Sequence, residues 1–294
     1  MLLKDKNVLF YDIETGLLLA NVFRPGEQVV RSNQLIDSTL VTPIITISYA
    51  MNKEPVQCLK VDPKDPNSTH KIMEKFKTLI DSADIVIGKN NHRFDDKHIN
   101  TQAMLMGLDF GEAWLNKSDD LEKQLRRYFA FPSNSLDHIS RTLGLGGKDK
   151  MDFSDWVSIK QYMDCMAARE MFGEEGSRAI AEVMYVSRLE NIIKKGIKAL
   201  NKMAKYNKKD VEDTRTIWYY LFKHVKHKHT YKDKKQFICT KCGSDNVRKN
   251  GMIRIESKTG KKVTYMYCNN HQGCAGKVYL DESGKDAKSI TKES

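Results

Sequence analysis

The chain has 294 residues, 40% of them hydrophobic and 30% charged, with a formal net charge of +11 and six cysteines. That length can bury a full α/β core and still carry a small appended module, and the composition is that of a globular protein with a heavily charged surface. No stretch approaches the roughly 20 apolar residues of a membrane span, and the start, MLLKDKNVLFYDIETG, lacks the layout of a secretory leader, so a cytoplasmic location is expected, with cysteines free or metal-bound and not paired.

Asn7 to Tyr11 is a short apolar run that reads as a buried strand ending at Asp12. Two further strands, about Ile44–Ala50 and Val56–Val61, are joined by AMNKEPV, a turn of hairpin length. Thr69 to Ser82 carries Ile72, Phe76, Leu79 and Ile80 at helical spacing, and Asp84–Gly88 is a fourth buried strand. Strands first and then alternating helices and strands predict a mixed sheet covered by helices, an α/β fold. From Asp96 to Leu221 the pattern is mostly helical. It includes a helix over Leu136–Leu143, with Ser133 or Ser135 as N-cap and Gly144 as C-cap, a long helix over Ser177–Asn207, and a continuation from Asp210 to Leu221. The following loop, Leu143 to Lys148 (LGLGGK), reads equally as a phosphate cradle and as a simple turn.

The charge is concentrated at one end. Residues 222–294 hold 17 Lys and Arg against 7 Asp and Glu, a net of +10, whereas the first 221 residues net +1. A basic appendage on a near-neutral body suggests a polyanionic partner, with a solubilising tail as the plainer alternative. The domains expected are 1–222 as the α/β body, 223–236 as a basic linker, 237–280 as a cysteine-containing unit and 281–294 as a disordered tail.

Asp12 and Glu14 lie two apart at the end of a strand, so alternation puts both side chains on one face, within reach of one cation. Alone, such a pair is more often solvated than ligating. Asp95 follows the fourth strand in GKNNHRFDDKHI, where an N-cap of the next helix is the competing reading, Asp96 competes by position, Phe94 is expected to pack inward, and Asn91 is expected to shape the loop. Tyr206 and Asp210 are four apart in YNKKD, which stacks them on one helix face.

Taken together, D-x-E, N-x-x-F-D and Y-x-x-x-D, in that order, closely resemble the DEDD (DnaQ-like) 3′-5′ exonuclease superfamily. Tyr206 places the resemblance in the DEDDy branch; a histidine branch would need His where Lys205 stands. The segment Arg126 to Lys148 is similar to one found in phage-encoded ribonuclease-H-like exonucleases, many of which end in a zinc ribbon. The likeness covers nearly all of residues 1–280, is poor in the N-terminal hairpin region and around Glu182 to Lys202, and departs at Asn90, where the superfamily usually has His. The resemblance implies a ribonuclease-H-like fold, host cytoplasm as location, and hydrolysis of phosphodiesters from a 3′ end with release of nucleoside 5′-monophosphates. It further implies that Asp12 bridges two Mg²⁺ or Mn²⁺ ions, that Glu14 and Asp210 complete the water-activating site, that Asp95 helps hold the second ion partly through water, and that Tyr206 orients the attacking water. The donor set suits that chemistry: hard divalent ions prefer carboxylate oxygen, and two of them about 3.5–4 Å apart serve both the nucleophile and the leaving oxygen.

DNA is expected ahead of RNA, and single strands ahead of duplex, because a chain end must thread to the metals. A ribonuclease or structure-selective endonuclease on the same fold, and an inactive nucleic-acid-binding protein, remain as alternatives. Any proofreading role would need replication or recombination proteins in trans.

Cys239-x2-Cys242 and Cys268-x5-Cys274, separated by short β-like stretches, have the layout of a structural zinc ribbon holding one Zn²⁺. His271 is an alternative fourth ligand to Cys274. Cys58 and Cys165 are expected to be core thiols.

Overall fold

The computed structural model describes residues 6–20, 30, 34–35, 41–111, 113–146 and 150–225, and the backbone of 247–255, 262–268 and 277–280. The chain divides into two compact units, Leu3–Val225 and Lys226–Ser294.

In the first unit five strands form one mixed sheet in the order β3-β2-β1-β4-β5. The strands are β1 (Val8–Thr15), β2 (Ile44–Met51), β3 (Gln57–Lys60), β4 (Ile85–Gly88) and β5 (Ser118–Asp120). The hairpins make β1–β2 and β2–β3 antiparallel, while β4 and β5 run parallel to β1. This α/β arrangement is compatible with a ribonuclease-H-like fold. Asn52 closes the β2–β3 turn at a φ of 49° and clamps it to β1: its backbone N–H donates to the Val8 carbonyl, and its side-chain oxygen accepts from the Val8 N–H.

Alternation sends the side chains of β1 to two different layers. Leu9, Tyr11 and Ile13 join Ile72 and Phe76 of α1 (Ser68–Ser82) and Ile99 of α2 (Asp95–Leu105) in one core. Phe10 points to the opposite face and meets Trp218 and Tyr219 of α7 (Leu189–Leu221), with ring centroids 5.3 and 5.6 Å away. The same face holds a cluster of Ile45, Leu200, Met203 and Ile159, the last from α6 (Phe153–Ala179). Between α2 and α6 in the chain come α3 (Ala113–Lys117), α4 (Leu121–Tyr128) and α5 (Leu136–Thr142), and a π-helical turn at Ile180–Met184 follows α6 ahead of α7.

The structure departs from the sequence reading at several points. β1 continues past Tyr11 to Thr15 because β2 goes on pairing with it, so Asp12 and Glu14 stand inside the strand and not beyond its end. β5 is Ser-Asp-Asp, with no apolar periodicity to announce it, and it exists because its backbone completes the β4 edge. The helix expected over Ser177–Asn207 is split: Ser177–Ala179 end α6, a π-helical turn follows at Ile180–Met184, and after a break α7 starts at Leu189 and runs past Asn207 unbroken to Leu221. Upstream, α6 is interrupted at Gly173, whose φ of 70° and ψ of −166° only glycine tolerates well. For α5 the expectation held: Ser135 is the N-cap, accepting the His138 N–H at 3.2 Å. Cys165 is fully buried, with its thiol pushed up to about 11 by burial, whereas Cys58 on β3 is only half-buried.

The second unit contains β6 (Val247–Ile255), β7 (Lys262–Cys268) and β8 (Lys277–Leu280) as an antiparallel sheet in that order. Cys239, Cys242, Cys274, His271, the expected linker after Val225, the tail from residue 281 and residues 147–149 of the LGLGGK loop lie outside the described residues. Cys268 is described only as the last backbone position of β7.

Candidate metal centre

The face of β1 that carries Phe10 also carries Asp12 and Glu14, and α7 lies across it. Helical spacing from Trp218 back through Val211 and Thr214 buries one stripe of α7 against the sheet, and Asp210 and Asn207 belong to that stripe. One carboxylate oxygen from each of Asp12, Glu14 and Asp210 lies within 4.8 Å of the others. Asp12 and Glu14 are half-buried and Asp210 is 5% exposed. Three acids gathered this closely against an apolar layer form a hard-oxygen donor set of the kind that suits Mg²⁺ or Mn²⁺.

Asn207 positions the first of them. Its amide donates to Asp12 Oδ2 at 2.6 Å, and its own oxygen accepts the Thr46 hydroxyl at 3.1 Å. Both Asn207 and Thr46 are wholly buried. Thr46 pairs with Glu14 in the regular β1–β2 register, which slips only beyond that pair, at Ile45. The chain from β2 through α7 to β1 therefore fixes one Asp12 oxygen.

Asp95 is placed differently. It is the first residue of α2, 4% exposed, and its Oδ1 accepts the Ile13 backbone N–H at 3.0 Å, a donor left over because β4 pairs with β1 only as far as Phe10. Burial pushes its carboxyl up to about 7, with the charges of Asp96 and Asp120 adding to the shift and the Ile13 hydrogen bond opposing it. It lies outside the group of three. Phe94, expected inward, is 41% exposed, its ring tilted against that of His98 with centroids 4.4 Å apart.

Asp96 belongs to the opposite face of β1. Its carboxylate takes the Tyr11 hydroxyl, the Ser118 hydroxyl at 2.9 Å and the Asn91 amide at 3.2 Å. Burial, followed by the Asp96 and Asp95 charges, raises the Tyr11 phenol well above its usual value. This network ties β1, β4's following turn, α2 and β5 together, so Asn91 does shape the loop as expected. Asn90 adopts a φ of 62° and donates its N–H to Asp120, whose carboxyl burial pushes up. Tyr206 is half-buried, one helical turn ahead of Asp210 on α7. Asn207, Thr46 and the Asp96 network were missed by the sequence reading. The helical stripe that includes Asn207 was the available signal for the first.

No family model and no curated protein matches the chain. Among matching solved structures is that of the family B DNA polymerase from the hyperthermophilic archaeon Pyrobaculum calidifontis, at 12% identity and a TM-score of 0.38, over 75% of this chain and 30% of that one. The chain thus spans under a third of the polymerase's length.

Proposed function

We propose that this protein is a metal-dependent 3′-5′ exonuclease of the DEDDy type, acting on single-stranded DNA and releasing nucleoside 5′-monophosphates. The observation that carries the reading is the convergence of Asp12, Glu14 and Asp210 within 4.8 Å, with Asp12 held by a buried asparagine. Asp12, Glu14 and Asp210 would hold divalent Mg²⁺ or Mn²⁺, and Asp95 would assist a second ion through water. Bound there, the ions would supply a hydroxide-like nucleophile and neutralise charge on the leaving oxygen. Asn207 keeps one Asp12 oxygen occupied, which limits the directions in which that carboxylate can donate. Tyr206, as a phenol, is a poor base at neutral pH and is suited to orient a water instead.

The zinc ribbon belongs to the same proposal. In the backbone register Val247 pairs with Cys268 and Tyr267 with Lys277. Cys242 lies five residues before Val247, and Cys274 three before Lys277. With β6 starting after the first Cys pair in the chain and β7 ending at Cys268, the spacing of the two pairs is the basis for proposing one tetrahedral Zn²⁺ site of Cys239, Cys242, Cys268 and Cys274.

The decisive experiment incubates 5′-labelled single-stranded DNA, duplex DNA and RNA with Mg²⁺, Mn²⁺ or chelator. A descending ladder that needs metal is expected on single-stranded DNA. Internal cuts, or no cleavage with either metal, would overturn the exonuclease reading. Asp12→Asn should lower nucleotide release at least about a hundredfold, since metal ions supply several kcal/mol of transition-state stabilisation.

A further inference from the structure

The sheet-facing stripe of α7 accounts for Asn207, Asp210, Thr214 and Trp218, but a second stripe on the same helix has no part in the core. Lys205, Lys208, Lys209 and Arg215 line a cavity of about 490 Å³ whose other wall is Pro55 and Val56, at the end of the β2–β3 turn. Glu212 is the one acid in that lining, and Lys209 is already paired with Asp213 at 2.7 Å and with Glu212 at 3.9 Å. A second hollow of about 320 Å³ continues from it through the shared Arg215, lined by Lys53, Thr216, Tyr219 and Tyr220. Arg215 is not a loose surface charge, because its guanidinium donates to the Glu54 carbonyl at 2.5 Å, which fixes it at the junction of the two hollows. Lys53, Lys208 and Tyr220 are exposed.

From Lys205 to Tyr220 the groove follows α7 for 15 residues, or about 22 Å at 1.5 Å per residue. One end lies within a turn of Tyr206 and Asp210 and the other reaches the β2–β3 turn. We propose that this groove binds the sugar-phosphate backbone of a single nucleic-acid strand, as a site separate from the metal centre, with Lys53, Lys208 and Arg215 on phosphates and the exposed Tyr220 ring available to a base. The chemistry is that of sequence-tolerant single-strand binding: a line of cations that follows the backbone and an aromatic surface that accepts any base. It requires +5 from the lysines and arginine of the two hollows against one acid, which the basic C-terminal unit does not supply. The inference deepens the exonuclease reading by giving the non-scissile part of the substrate a place to lie, and it rests on that reading only for the choice of nucleic acid over other polyanions.

The test uses the full chain with chelator present, so that no strand is degraded, and a fluorescent 15-nucleotide single strand as probe. Acetylation of surface amines is mapped by mass spectrometry with and without the strand, and affinity is measured by anisotropy over a range of salt. Lys53 and Lys208 should be protected when the strand is bound. A Lys53→Ala/Lys208→Ala double variant should bind roughly tenfold more weakly and show a shallower dependence of log affinity on log salt, by about 1.4 for two lost phosphate contacts at ~0.7 each. Equal acetylation of both lysines with and without the strand overturns the proposal, whatever the C-terminal unit contributes to total affinity. Protection by a polyglutamate peptide as strong as by the oligonucleotide also overturns it. The two readings fail separately: protection without cleavage in Mg²⁺ or Mn²⁺ removes the exonuclease and keeps the groove, while cleavage without protection does the reverse.

Discussion

Asn207 joins three elements with two hydrogen bonds, and its removal should separate catalysis from folding. In Asn207→Ala the Thr46 hydroxyl loses its buried acceptor, which costs about 1–3 kcal/mol of stability. The loss at the metal centre is of another kind. Partners that orient a metal ligand are typically worth about 10–100-fold in metal affinity or activity, so the variant should need more Mg²⁺ for half-maximal cleavage. Steady-state rates across a metal titration, compared with Thr46→Val, check this: Thr46→Val should lose stability with a smaller change in metal requirement. Equal metal requirements for Asn207→Ala and the parent protein would make Asn207 a structural residue only. Asp95 gives a second prediction at this scale, in metal-free protein. Its carboxyl lies near 3.8 when exposed and near 7 when folded, so between those values the folded state binds a proton that the unfolded state has released. Stability from this group is therefore full below about pH 4 and lost as pH rises through about 7. Asp95→Asn retains an acceptor for the Ile13 N–H while removing the titration, and should flatten that part of a chelated melting curve against pH. An unchanged slope would show that other groups set it. The grouping of Asp12, Glu14 and Asp210 was legible in the sequence, because a D-x-E pair shares one strand face and Asp210 lies on a helical stripe. Asn207 and Thr46 were not, because a hydrogen bond between side chains 161 residues apart is written in no local pattern.

Among the elements, α6 and α7 form the layer that brings Asp210 to β1, and Gly196 sets how closely they approach. A Cβ at that position would lie 2.3 Å from the Cβ of Tyr162 and 2.7 Å from its ring carbon Cγ. Neither atom is a flexible end, and both helices are fixed by Ile192, Leu189 and Cys165 in the same cluster. Gly196→Ala should therefore destabilise the protein by about 1–3 kcal/mol despite alanine's better helix propensity. Urea unfolding at constant m-value checks it, and a stabilised variant would mean that α6 slides freely on α7. The sheet was legible where strands were apolar and the hairpin turn was short. β5 escaped because its three residues are polar and its reason for being a strand is the parallel β4 edge. The continuity of α7 through Asn-Lys-Lys-Asp was hidden for a related reason: those polar residues look like a break, yet two of them face the sheet and hold acids and hydroxyls there.

At the scale of the whole first unit, the carboxylates form a reservoir of unfavourable charge that ligand binding should convert into stability. Asp12, Glu14 and Asp210 come together only when β1 and α7 are docked, so a cation they share binds the folded chain and not the unfolded one. At a metal concentration about 100 times the dissociation constant, linkage predicts roughly 2.7 kcal/mol of added stability. For a domain of this size that is a rise of about 5–10 °C in the melting temperature. Mg²⁺ and Mn²⁺ should produce the rise, and K⁺ at equal ionic strength should not, because screening alone acts on exposed charges everywhere. Asp210→Asn removes one member of the group and should abolish most of the metal-dependent increment while raising the metal-free melting temperature slightly, since one repulsive charge has gone. The second unit is excluded as the source by repeating the measurement after residue 225, where the first compact unit ends: the increment should persist there. Its disappearance on truncation would move the responsive cation away from β1 and α7, and with it the basis for reading Asp12 and Glu14 as ligands.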